Sequence, residues 1–237
     1  MAGAPLFSSS TQRTLSIPRM ETESSIRRAI EQTGVITAVR SHAPIDSMIE
    51  VGDALLATPL TVLAISPGSC QPWQTLTELR SRFGANMHIG AGPLSTPAQV
   101  QTAIDAGTQF VLYASPALQV GVLCRRHSVL FLPAVATPAA VAQAERNGWT
   151  LQLLFPPGRN GTVALRRLHL ACPTARLVPM GGVTLENLPA YARAGAAAAV
   201  VRGVLGGQTK WTMATLITQM RRVRAAWEAG LSVGSCG

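Results

Sequence analysis

From Val35 onward, one pattern of apolar and polar positions repeats along the chain. A short apolar run rich in β-prone residues is followed by a turn and then by an amphipathic stretch. The runs are VITAVR (35–40), TVLAIS (61–66), MHIGAG (87–92), FVLYAS (110–115), LFLPAV (130–135), TLQLLF (150–155), RLVPMG (176–181) and AAAVVR (197–202), eight in all. The stretches at 95–107, 136–148 and 183–195 share one grammar, with Ser or Thr near the start and Gly107, Gly148 or Gly195 at the end. A last helix over 210–230 sets Met213, Leu216, Ile217, Met220, Val223 and Trp227 on one face. Strands this apolar, joined through helices, are parallel strands covered on both sides. Eight such units predict an α/β fold, the closed (β/α)8 TIM barrel, which typically runs to about 200–250 residues. The rival, an open doubly wound sheet, would usually carry GxGxxG in its first turn, and the chain has none there.

The domain expectation follows. Residues 26–230 form one barrel and 231–237 a flexible C-terminus. Residues 1–25, rich in Ser, Thr and small residues, read as a disordered tail, as a targeting extension, or as an upstream extension before a start at Met20. The 237 residues are 47% hydrophobic, enough for a sizeable core, yet no apolar run is long enough to span a bilayer. A cytoplasmic protein without a membrane partner is expected, with organellar targeting left open.

Charge and cysteine change the picture little. The formal charge is +9, and Lys210 is the only lysine. The arginine pairs Arg27/Arg28, Arg125/Arg126, Arg166/Arg167 and Arg221/Arg222 fall on separate predicted helices with few aromatics between them. They read as solvated helix faces rather than a nucleic-acid surface. Cys70, Cys124, Cys172 and Cys236 are far apart and show no zinc-ligand spacing, so reduced structural thiols are expected.

A barrel builds its site at the C-terminal ends of the strands, and strands seven and eight commonly hold phosphate. Gly181 and Gly182 end the seventh run, and Arg202 and Gly203 end the eighth. Bare backbone admits an anion closely, a following helix N-terminus favours negative charge, and a guanidinium adds a charge-assisted contact. A phosphorylated or carboxylate small molecule is the expected ligand.

With the strands placed, GVITAVRS, MHIGAGPL, FLPAVATPAAVAQAERNG and above all LVPMGGVTLENLPAYARAG resemble the 2-keto-3-deoxy-6-phosphogluconate and 4-hydroxy-2-oxoglutarate aldolase family over residues 30 to 207. The resemblance implies a (β/α)8 barrel, usually a trimer, that splits a 2-keto acid into pyruvate and an aldehyde through a lysine Schiff base. That chemistry needs an amine to condense with the ketone and a carboxylate to shuttle protons.

Carried over by position, the family's lysine falls on Leu153 and its glutamate on Ala64. A carboxylate-binding arginine falls on Gly68, and the two motif threonines on Pro93 and Met180. Arg202, Gly203 and Val204 take the place of a serine-containing turn. Arg40, Gly90, Gly92, Gly181 and Gly182 match the family. Arg40, Gly90, Pro93 and Met180 are thus the expected lining of a substrate pocket, with no catalytic residue, cofactor or metal.

No substitute nucleophile or base stands out. Lys210 is expected at the start of the last helix, away from strand six. Gln152 neighbours the lost lysine but alternates to the other face. His88 reads as a core histidine, Ser66 and Ser115 as turn residues, and Cys124 as helix packing. The leading expectation is a catalytically degenerate aldolase-family barrel that binds, regulates or assembles, as a homo-oligomer or with a protein partner. The alternatives are an active class I aldolase using an unusual amine, another phosphate-binding barrel enzyme resembling thiamine-phosphate synthases, and a purely structural partner.

Overall fold

Eight parallel strands close into the expected barrel: Val35–Val39 (β1), Val62–Ile65 (β2), His88–Leu94 (β3), Phe110–Tyr113 (β4), Leu130–Val135 (β5), Leu151–Leu154 (β6), Arg176–Pro179 (β7) and Ala199–Arg202 (β8). They were located in a computed structural model that describes residues 19–40, 42–158, 160–203 and 211–232. The strand order is β7-β6-β5-β4-β3-β2-β1-β8. Ladders join each neighbouring pair in that order. Among the described residues, β7 meets β8 through the isolated bridge Met180–Val200, which closes the ring.

Between the strands run Ile45–Leu56 (α2), Pro72–Phe83 (α3), Pro97–Asp105 (α4), Leu118–Arg126 (α5), Pro138–Arg146 (α6), Gly161–Ala171 (α7), Leu188–Arg193 (α8) and Met213–Ser232 (α9). The capping signals were real. Thr96 caps α4 in a capping box with Gln99, and Thr137 accepts from the Ala140 N–H to cap α6. The third such helix differs. The sequence predicts 183–195, but α8 starts only at Leu188. The side chains of Thr184 and Asn187 fold the intervening residues into a turn: the Thr184 N–H donates to Asn187 Oδ1 at 2.8 Å, and the Asn187 N–H to Thr184 Oγ1 at 3.4 Å.

Alternation along the strands creates two separate apolar clusters. Outward residues such as Leu63, Ile65, Val111, Leu154 and Val201 pack beneath the helices. Inward residues fill the barrel: Ile36, Ala38, Val62, Ala64, Phe110, Leu112, Leu132, Ala134, Leu151, Leu153, Val178, Met180 and Val200. This is a packed core rather than a pore.

Helix α1, Arg19–Thr33, precedes β1 and begins inside the stretch expected to be a tail. Its Ile26 and Ile30 belong to the inner cluster and are fully buried, so α1 stoppers the N-terminal end of the barrel. Polar contacts hold it there. Glu31 pairs with Arg176 at 3.0 Å, and Arg224 on α9 donates to the Thr33 and Gln32 carbonyls. Helix α9 also runs past residue 230, where Gly230 lies tight against Pro189 and Ala192 of α8.

Candidate functional site: the barrel mouth

The C-terminal ends of the strands divide into a rim of backbone turns and a throat of side chains. In the throat, Leu153 and Ala64 are both fully buried in the inner cluster. Leu153 lies beside Ala134 on β5 and Val178 on β7, and Ala64 beside Ala38 on β1 and Gly90 on β3. Met180 is 1% exposed and packs with them. A side chain on Gly90 would meet the Phe110 ring at 2.5 Å, so the aromatic ring fills the space beside this glycine. Gln152 points the other way, as alternation requires, and donates to the Trp149 carbonyl at 3.0 Å. Pro93 is half-buried at the upper part of β3.

The rim is polar and glycine-shaped. Gly181 and Gly182 are consecutive residues in the left-handed region, with φ of +95° and +68°. Only glycine enters that region without strain, and two in succession turn the chain sharply out of β7. The Asn187 amide donates to the Gly182 carbonyl at 2.8 Å and fixes the turn. Asn187 is thus a site-shaping residue that sequence reasoning missed. The Thr184–Asn187 spacing was its signal, hidden by reading the segment as continuous helix. Because Asn187 already accepts from Thr184, and α8 is a six-residue helix, the helix N-terminus imagined beside the double glycine is not the feature that shapes this rim.

Arg202 ends β8 in register with Ala38, an inner-facing residue, and is exposed at the mouth, with Gly203 following it. Arg40, one turn of the pleat beyond Ala38, is also exposed and reaches the Gly68 carbonyl with Nε at 3.4 Å. A side chain on Gly68 would come within 2.9 Å of that Nε. The mouth therefore carries two guanidinium groups and the glycine positions Gly68, Gly181, Gly182 and Gly203, while its throat is hydrocarbon.

The remaining candidates scatter. His88 starts β3, at the far end from the mouth, and burial with the nearby Arg80 charge lowers its pKa. Burial pushes the Cys124 thiol up to about 12, opposite to an activated nucleophile. Among the described residues no three His, Cys, Asp or Glu side chains converge as metal ligands. Lys210 lies outside the described residues.

An eight-stranded parallel barrel with alternating helices is the (β/α)8 architecture, which forms its sites at the C-terminal rim. The chain matches the family model described as KDPG and KHG aldolase over residues 26–221, and it belongs to that family. It is 26% identical over 168 residues to the 2-dehydro-3-deoxy-phosphogluconate aldolase of Treponema pallidum, covering 70% of this chain and 79% of that one. The enzyme of the same description from Pseudomonas aeruginosa is 30% identical over 145 residues, 61% of this chain and 66% of its own. The fold superposes on the 2-keto-3-deoxy-6-phosphogluconate aldolase of Zymomonas mobilis ZM4, solved with 3-phosphoglycerate, with a TM-score of 0.73 at 22% identity, covering 87% of this chain and 96% of that one.

Proposed function

We propose that this family member binds a small phosphorylated or carboxylate ligand at the barrel mouth and has lost Schiff-base catalysis, acting as a binding, regulatory or assembly protein. One observation carries the reading. The strand-six position that the family resemblance assigns to the lysine is Leu153, fully buried among hydrocarbon, with Ala64 in place of the glutamate. A leucine cannot form an imine and an alanine cannot move a proton, so neither half of the class I reaction has a group to perform it. Gly181, Gly182, Arg202 and Gly203 supply backbone and charge for an anion, and Arg40 a second guanidinium. Self-association fits the exposed pair Leu118 and Val122, one helical turn apart on α5.

The test is reduction with borohydride in the presence of pyruvate. The expected result is no covalent adduct by mass spectrometry and a stability increase with inorganic phosphate or 3-phosphoglycerate. A stable adduct on Lys210 would instead identify an active class I aldolase working through an unusual amine, and the proposal would fail. Magnesium-dependent turnover of a diphosphate substrate would point to a different barrel enzyme.

A further inference from the structure

A partly open cavity lies at the end of the barrel opposite the mouth. It measures about 130 Å³ and opens between α1, the C-terminal part of α5 and the first residues of β5 and β6. This is the face on which barrels ordinarily invest in stability, not in binding. Ile26 and Ile30 have already filled the barrel axis here. The cavity beside them is nevertheless lined by charge: Glu23 and Arg27 from α1, and Arg125 from α5. Trp149 and Phe131 line it too, their rings edge-to-face at 5.0 Å, and α5 presses on the indole through Gly121, where any side chain would collide with the Trp149 ring.

The two guanidinium groups make their described hydrogen bonds to neutral acceptors. Arg27 donates to Thr150 Oγ1 at 3.2 Å, and Arg125 to the Asn147 carbonyl at 2.6 Å. Both acceptors are neutral, and each guanidinium carries five N–H groups. Glu23 feels the Arg125 charge, yet among the described ion pairs none joins them, and burial holds its carboxyl above the ordinary value. Two cationic forks and one carboxyl around an aromatic wall suit a ligand with an anionic end and a donor end. An apolar cavity of about 150 Å³ accepts benzene, so this one has room for roughly six non-hydrogen atoms.

We propose that this cavity is a second binding site, for a small α-hydroxy or α-amino carboxylate whose carboxylate meets Arg27 and Arg125 and whose hydroxyl or ammonium group donates to Glu23. The site is independent of the mouth and of the reading given to it.

The experiment titrates the full chain with lactate, alanine and propionate, followed by heat and by tryptophan fluorescence. Lactate or alanine binds saturably, and which of the two binds tighter distinguishes the hydroxy from the amino acid. Propionate, which keeps the carboxylate and lacks the donor, binds at least about tenfold more weakly. Arg125→Gln weakens the tighter acid by about tenfold, while Arg202→Gln at the opposite end leaves its affinity unchanged. Glu23→Leu removes the preference over propionate. Should Arg125→Gln fail to fold, Arg125→Lys keeps the charge without the fork and still weakens binding several-fold. No saturable binding of either acid below about 20 mM, equal binding of propionate, or a folded Arg125 variant that binds like the parent overturns the proposal.

Discussion

The rim and the throat of this barrel lie within a few residues of each other on the same strands, and they are built very differently. The rim is built on glycines: Gly92, Gly181 and Gly182 adopt φ of +150°, +95° and +68°. The throat is built of hydrocarbon, with Leu153 and Ala64 fully buried in it. Backbone turns have two uses at once. They bring the chain out of a strand and into the next helix, and they leave amides open to a ligand. Folding alone requires the first use. A throat side chain has no such second duty: once the chemistry is dropped, any residue that packs without a void will serve.

This division can be broken in several ways, the most severe first. Leu153→Lys places an ammonium in the inner cluster with no partner, and should cost about 3–5 kcal/mol in urea unfolding, as a buried unpaired charge does. An introduced lysine that costs little and keeps an ordinary pKa would show that position 153 does not face the dry throat. Adding Ala64→Glu should recover traces of borohydride-trapped pyruvate adduct and no more, because Gly68 and Pro93 still lack carboxylate ligands.

At the rim, Gly182→Ala should cost about 1–2 kcal/mol through left-handed strain alone, since no atom lies within 4 Å of the added carbon. Gly181→Ala adds contact with the Phe155 ring at 3.3 Å and should be the worse of the two.

Arg202→Gln sharpens the comparison from the other side. Its stability should stay within about 0.5 kcal/mol of the parent, while phosphate affinity, measured by calorimetry, falls about tenfold. Unchanged phosphate affinity would remove Arg202 from the site.

The smallest expected effect concerns thiols. Cys70 is exposed and Cys124 buried, so a thiol reagent at neutral pH should label Cys70 and reach Cys124 only on unfolding. The Cys124 thiol is raised to about 12 from 9.0. A raised folded value means that stability is fully present below the unfolded pKa, and is lost as pH climbs from about 9 toward 12. Cys124→Ala should therefore show a shallower alkaline loss than the parent.

The fold was legible because period-two and helical patterns are written in single side chains. Every strand was found within a few residues of its run, and the caps at Thr96 and Thr137 were visible as residue types. What was hidden depended on relations between residues far apart. Among the described side chains of α1, Ile26 and Ile30 are the apolar ones fully buried, so its role appears once the open end of a barrel exists for it to cover. The cavity beside it joins Glu23 and Arg125, residues a hundred positions apart, and the first of them lay in the stretch expected to be a tail. The α8 boundary differs for a local reason: Thr184 and Asn187 bond to each other's backbone across a turn, and regular helix follows only from Leu188. At the mouth, Leu153 and Ala64 lie in the inner cluster, and alternation sent Gln152 outward.

Seven junctions around the ring are ladders, while β7 touches β8 at the Met180–Val200 bridge. The Ala197 N–H also donates to the Leu177 carbonyl at 2.9 Å, so this seam is held by fewer bonds than a ladder supplies, and the thinnest seam of a hoop is where it is expected to open first. Gly181 and Gly182 sit just past one lip of that gap, and Arg202 and Gly203 on the other. An anion gripped from both lips would act as a staple, and amides well away from it would then exchange their hydrogens more slowly. Such fastening would itself be a signal that a ligand has arrived.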